Sequence, residues 1–408
     1  MKTTRYSSSR QKACQPCSNA KAKCDRKTEI CSRCATRGLS CVYPSSTPVV
    51  AQNTTNTGGE AEINVQPQPS SSKNISIDTI LPDLSSTASV CSLPQDDANV
   101  ANPGNSPLDF SNLELVCPIN ADNINMRWMR SYIPLPEQIP KAYSTATMTF
   151  IRRVLKSYSA VAVRSRGIPP FIHPLQMTVK SASPLATCLS LVRICDNLLP
   201  GSDEVVAGVL MREMQYLYMQ RTTYDDMTLL SAFQAYLIYS MVLFFQLGRV
   251  TDSFLRQAVI ALQELACSSS RQGLLCVAEQ LPARPKWEAW IVTEAKRRSL
   301  YTMYLFDSVL SAQDGLPVYL GTELRGLFAP GSKTLWHAQS RQDWETVYNR
   351  HLADWGGKGF QIDELWPIAT APDDAEVVQR RTRIDRWLEN LDEFGIMIYA
   401  VTSSTHGD

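Results

Sequence analysis

Six cysteines between residues 14 and 41 follow the spacing C-x2-C-x6-C-x6-C-x2-C-x6-C, and this pattern constrains the chain's folding more tightly than any other. The first half, Cys14, Cys17 and Cys24, and the second, Cys31, Cys34 and Cys41, have the same internal spacing, which implies two similar loop–helix units packed face to face. In each half the C-x2-C turn lets two thiolates grip one metal. The third cysteine follows seven residues later, about two helical turns on, which returns it to the same face. A structural zinc site takes four ligands, whereas each half supplies three. Sharing one cysteine of each half between both metals gives every zinc four sulfurs, so all six cysteines are expected to hold two zinc ions per chain.

Placement of the remaining cysteines favours ligands over disulfides. Cys91, Cys117, Cys188, Cys195, Cys267 and Cys276 are scattered, and the start, MKTTRYSSSRQK, has no apolar signal-peptide core. A reducing compartment is expected, where clustered thiols bind metal. Net charge over the 408 residues is only +1, but it is unevenly distributed. Residues 1–44 carry ten basic against two acidic side chains, +8, and the remaining 364 carry thirty against thirty-seven, −7. A basic head on a mildly acidic body presents one end to a polyanion.

The stretch CQPCSNAKAKCDRKTEICSRCATRGLSCVYP resembles the fungal binuclear zinc-cluster transcription factors over about residues 12–44. The likeness includes Lys21 four positions after the second cysteine, Lys23 before the third, Cys24-Asp25-Arg26, the CSRC turn, Gly38-Leu39 and Tyr43-Pro44. The resemblance implies that Cys14 and Cys31 bridge the two metals. It also implies that Lys21, at the end of the first short helix, reads base edges of a CGG-like half-site in the major groove, where lysine suits guanine O6 and N7. Lys12, Lys23, Arg26 and Lys27 would touch phosphates. Two departures stand out. Ser18 and Ala20 replace arginines frequent in the family, which implies weaker phosphate binding. The loop DRKTEI lacks the proline often found between the halves, which implies a less rigid loop of normal length.

Beyond this module the chain divides by composition. Residues 1–13 read as a flexible basic arm, 14–44 as the zinc-cluster domain, 45–107 as a disordered polar linker, 108–144 as an extended connecting segment and 145–408 as an all-helical regulatory domain. The linker's random-coil span is roughly 45 Å. It contains no heptad run, so any homodimer forms through the helical domain or on the DNA itself. Apolar residues at three- and four-residue spacing predict helices at 147–164, 185–198, 204–221, 227–247, 253–267, 287–309, 334–354 and 375–401. Leu229 to Gly248 has no charge and is long enough to span a bilayer. It holds Gln234, Gln246 and two tyrosines among amphipathic neighbours, so a buried core helix is expected and no membrane contact. Cys188 and Cys195 lie seven apart on an apolar helix and read as core. The stretches 75–84 and 106–116 mix acids with bulky apolar residues; each suits either an activation segment or a linker touching the body.

His173, His337, His351 and His406 are dispersed, and no nucleophile elbow, phosphate loop or dinucleotide fingerprint is present, so no catalytic residue is expected. The segments RSRGIPPFIHPLQ, LLSAFQAYLIYSMVLFF and WEAWIVTEAKRRSLYTMYLFD resemble helical C-terminal regions of fungal pathway regulators, several of which control secondary-metabolite gene clusters. The resemblance as a whole implies a nuclear, sequence-specific transcription factor for RNA polymerase II genes. Its partners would be double-stranded DNA, a second copy and the transcription machinery. The competing reading is a zinc-stabilised protein–protein scaffold without sequence-specific DNA binding.

Overall fold

The computed structural model describes residues 13–25, 27, 30–41, 107–133, 135–136, 138–178, 183–249, 253–367 and 374–406. The expected arm (to residue 12), the linker from 45 to 106 and the acidic-apolar stretch 75–84 lie outside these residues. The chain divides into two compact units, Met1–Pro94 and Gln95–Asp408.

In the first unit, helices α1 (Gln15–Asn19) and α2 (Ser32–Arg37) each start from a cysteine in extended conformation, Cys14 and Cys31. In the second, the main helices are α5 (Thr145–Val163), α6 (Pro184–Leu191), α7 (Asp203–Met219), α8 (Asp226–Phe245), α9 (Ser253–Arg271), α11 (Trp287–Gln313), α13 (Arg341–Trp355), α14 (Asp374–Leu388) and α15 (Glu393–His406). Short helices α3 (Asp122–Asn125), α4 (Arg127–Arg130), α10 (Val277–Gln280) and α12 (Lys333–Trp336) fill the connections.

Sixteen of the twenty residues of α8 are buried, and α5, α6, α7 and α9 pack around it. Its polar side chain Gln234 is satisfied internally: the amide nitrogen donates to the Phe171 carbonyl at 3.0 Å, and the oxygen accepts from Gln176 at 3.1 Å. A helix apolar on every side, enclosed this way, is a core helix. The structure thus agrees with the expected core reading of 229–248, although α8 is also long and apolar enough to cross a membrane.

Three predicted helices end differently. The 185–198 helix stops at Leu191 and tightens into a 3-10 turn over Val192–Asp196. The 334–354 helix is two, α12 and α13, because Ser340 starts a new one by accepting the Asp343 amide at 3.1 Å. The 375–401 helix is also two. Asp392 caps α15 by accepting the Gly395 amide at 2.9 Å, and the Asn390 carbonyl turns aside to accept from Lys333 at 2.6 Å.

The described residues 108–133 of the segment 108–144, read as an extended connection, are built into the body. Phe110, Ala121 and Ile124 are buried, and β1 (Leu115–Val116) pairs antiparallel with β2 (Leu275–Cys276), Leu115 opposite Cys276 and Val116 opposite Leu275. The described part of the acidic-apolar stretch 106–116 is therefore seated on the body. On α4, Arg127 bonds Asp307 at 2.8 Å and Glu323 at 3.2 Å while its guanidinium lies 4.2 Å over the Tyr304 ring.

Helix α11 crosses the core with charged residues buried. Glu294 pairs with Arg297 at 2.8 Å and Arg298 at 2.7 Å, and Arg298 also binds Asp392. Pairing and hydrogen bonding are what make such burial tolerable.

Candidate metal centre

The two halves of the cysteine module share a backbone plan offset by seventeen residues. After α1, the Ala22 amide donates back to the Cys17 carbonyl at 2.9 Å and the Lys21 amide to Ser18 at 3.0 Å. After α2, the Leu39 amide donates to Cys34 at 3.0 Å and the Gly38 amide to Ala35 at 3.5 Å. Both are the left-handed helix stop that satisfies the last free carbonyls. The residue at the turn is Gly38 in the second half, φ +61°, but Lys21 in the first, φ +48°. Each turn redirects the chain so that the third cysteine returns to the other two.

All six sulfurs converge. Cys14, Cys17, Cys24 and Cys31 form one group of four with every sulfur within 4.8 Å of the others, and Cys14, Cys31, Cys34 and Cys41 form a second. Cys14 and Cys31 belong to both. Sulfur separations are 3.6 Å for Cys14–Cys31 and Cys17–Cys31, and 3.7 Å for Cys14–Cys34 and Cys14–Cys24. A tetrahedron with zinc–sulfur bonds of about 2.3 Å has an edge of about 3.8 Å, so the donor set fits zinc in size, number and softness. Cys14, Cys17, Cys31 and Cys34 are wholly buried, and Cys24 and Cys41 are partly so.

Donors converge on the sulfurs. The Cys31 amide reaches Cys41 Sγ at 3.3 Å, the Cys34 amide reaches Cys31 Sγ at 3.4 Å, and Arg33 Nη1 lies 3.8 Å from Cys17 Sγ. Burial pushes the Cys14 thiol far above its ordinary range. At Cys31 the Cys34 amide favours the thiolate, yet burial and the neighbouring Cys34 thiol push the group up to about 12. The Cys31 amide lowers Cys41. Burial thus favours the protonated thiol at Cys14 and Cys31, and ligation to a metal requires that proton to leave.

Sequence reasoning missed a clamp at the ends of the inter-half loop. The Asp25 carboxylate accepts the Ser32 amide at 3.0 Å and the Ser32 hydroxyl at 2.6 Å, closing the loop that lacks proline and capping α2. These bonds hold Asp25 below its usual carboxylate range. The signal available was an acid seven residues ahead of a helix start.

Of the basic residues expected to meet DNA, Lys21, Lys23 and Lys27 are exposed. Lys27 lies 3.8 Å from Asp25. Lys12 and Arg26 fall outside the described residues. Cys188 is buried in the helical body, where its Sγ–H donates to the Ala235 carbonyl at 3.5 Å. His173 is buried too: one ring nitrogen lies 3.0 Å from the Trp336 carbonyl, and burial lowers its pKa to about 4.

Comparison with known families finds one match. The model of the fungal Zn(2)-Cys(6) binuclear cluster domain matches residues 12–48. No curated protein and no solved structure matches the chain. Six converging thiolates in two four-sulfur groups and the family match agree: at residues 12–48 the chain carries a fungal Zn(2)-Cys(6) binuclear cluster domain, which binds two zinc ions and is the DNA-binding module of zinc-cluster transcription factors.

Proposed function

We propose that this chain is a sequence-specific regulator of RNA polymerase II genes, acting in the nucleus, whose zinc cluster reads CGG-like half-sites through Lys21. Cys14 and Cys31 bridge the metals, since both belong to each four-sulfur group. Cys17 and Cys24 complete one zinc, and Cys34 and Cys41 the other. The observation that carries the DNA reading is the asymmetry between equivalent turns: lysine occupies a left-handed position where its twin has the relaxed choice, glycine. A side chain held in a costly conformation, exposed and cationic, fits a role in recognition better than one in folding. Lys23 and Lys27, and in sequence Lys12 and Arg26, supply phosphate contacts that position the helix without reading sequence.

The helical body is proposed to regulate this head and to contact the transcription machinery. One cluster reads only about three base pairs, too few for useful genomic selectivity unless sites are paired. A second copy is therefore proposed, joined through the body or on the DNA. Control of a biosynthetic gene cluster rests on the resemblance of body segments alone, and a genome-wide binding map tests it.

Gel shifts of the full chain on CGG-containing duplexes and on duplexes with the triplet mutated test the central reading. Lys21→Ala is expected to lose triplet discrimination worth about 1–3 kcal/mol, whereas Lys27→Ala weakens all DNA alike and lowers the salt slope by about one. Unchanged triplet preference in Lys21→Ala moves the reader elsewhere. A wild-type chain indifferent to the triplet favours the scaffold reading.

A further inference from the structure

Groups that bond a metal's ligands from outside help set how firmly the metal is held. In the cysteine module one side chain does this across the two halves. Arg33 sits on α2, between Cys31 and Cys34, yet its Nη1 donates to Cys17 Sγ on α1 at 3.8 Å. Among the described residues the Arg33 side chain forms no ion pair and has no other hydrogen-bond partner. The accepting sulfur is wholly buried, and it belongs to only one of the two four-sulfur groups.

The other half has no equivalent contact. The seventeen-residue offset that relates the halves puts Pro16 where the second half has Arg33, and a proline side chain has nothing to donate. Cys34, the counterpart of Cys17, bonds the Cys14 sulfur and has no side-chain nitrogen donor among the described residues. The difference matters because the loaded cluster is anionic. Six thiolates outweigh two divalent zinc ions by two negative charges, held on sulfurs that are largely buried. A guanidinium against one of those sulfurs offsets charge where water does so least.

We propose that Arg33 is a positioning residue for the zinc held by Cys17 and Cys24. It bonds the Cys17 sulfur, straps α2 to α1 and slows the loss of that ion, while the zinc of Cys34 and Cys41 has no such strap. Arg33 is thereby directed at the cluster and makes no phosphate contact. The inference rests on the two ligand sets and stands whether or not the CGG reading holds.

The test is zinc release from the full chain, loaded with two zinc ions, to excess 4-(2-pyridylazo)resorcinol, a chelating dye. One of the two ions should leave Arg33→Gln about fivefold faster than wild type, the weight of one hydrogen bond. Arg33→Lys keeps a charge and a donor, and should restore most of the difference. Pulses of N-ethylmaleimide during release, read by peptide mass spectrometry, should label Cys17 and Cys24 earlier in Arg33→Gln, with Cys34 and Cys41 labelled as in wild type. Gel shifts at saturating zinc should give Arg33→Gln the wild-type salt slope. Unchanged release, equal acceleration of both ions, earlier labelling of Cys34 and Cys41, or no rescue by lysine overturns the proposal. So does a salt slope lower by about one, which would make Arg33 a phosphate contact. A wild-type zinc content other than two would overturn the ligand sets, and the proposal with them.

Discussion

Lys21 and Gly38 occupy the same turn in two copies of one backbone, so the module contains its own control experiment. A non-glycine residue in left-handed conformation costs about 1–2 kcal/mol, and glycine gives back about 0.4–1 kcal/mol through the freer unfolded chain. Lys21→Gly should therefore stabilise the module by about 0.5–1 kcal/mol net. Folding and metal binding are coupled here, so competition with a chelator should show zinc held about two- to fivefold more tightly. The same variant should lose triplet discrimination in gel shifts. A variant that weakens zinc retention would show that the lysine stabilises the turn, and the assignment to recognition would fail. In the body, Lys296 is buried with its ammonium 3.2 Å from the Gly273 carbonyl, and burial lowers its pKa to about 8. The unfolded chain keeps its proton up to about 10.5, so between these values the unfolded state binds more protons and stability rises with pH. Denaturant unfolding at pH 8 and pH 9 should show wild type gaining about 1 kcal/mol relative to Lys296→Met over that unit. A pH-independent difference would mean the ammonium stays charged in the core.

At the scale of elements, what the sequence makes legible is periodicity and spacing. The cysteine repeat reveals the whole ligand set, and the long helices α5, α7, α8, α9 and α11 follow from their apolar pattern. The breaks at 337–340 and 389–392 are less visible because neither contains glycine or proline. They depend on Ser340 and Asp392 turning to cap the next helix. Asp392 meets Arg298 across 94 residues of sequence, so the charged run in α11 is buried by partners no local pattern announces. The aromatic stripe Trp344, Tyr348, His351 and Trp355 was present in the letters, at spacings of four, three and four, but its ring contacts emerge only with the fold. Docking of β1 against β2 was hidden for a related reason: a two-residue strand has no period. That docking depends on Gly273, φ +115°, where an added Cβ would lie 2.9 Å from the Val116 amide nitrogen and closer still to the Leu115 side chain. Gly273→Ala adds that clash to a left-handed penalty of about 1–2 kcal/mol. Its melting temperature should fall by at least about 3 °C, with faster proteolysis within 107–116. Melting like wild type would mean that β1 is not held at this edge.

At the scale of the molecule, the two units differ in what holds them together. The body has a continuous core built around α8 and α11, whereas the buried cluster of the zinc module consists of Cys14, Cys17, Cys31 and Cys34, with Cys24 and Cys41 packed beside it. The module's core is thus its own metal-binding sulfur, and its stability is metal-binding free energy. Chelation should therefore separate the units. Metal analysis of the full chain should give two zinc ions, and stripping them should abolish DNA binding while the helical signal and the melting transition of the body persist. Acid should act on the module in the same direction, because protons compete with zinc for thiolates whose burial already favours the protonated form at Cys14 and Cys34. Cys14→Ala, which removes a sulfur from both four-sulfur groups, should release both metals, whereas Cys24→Ala removes a ligand from one group. Mass spectrometry of the intact, zinc-loaded variants distinguishes the two cases. If Cys14→Ala retains one zinc as firmly as Cys24→Ala does, Cys14 is not shared between the ions.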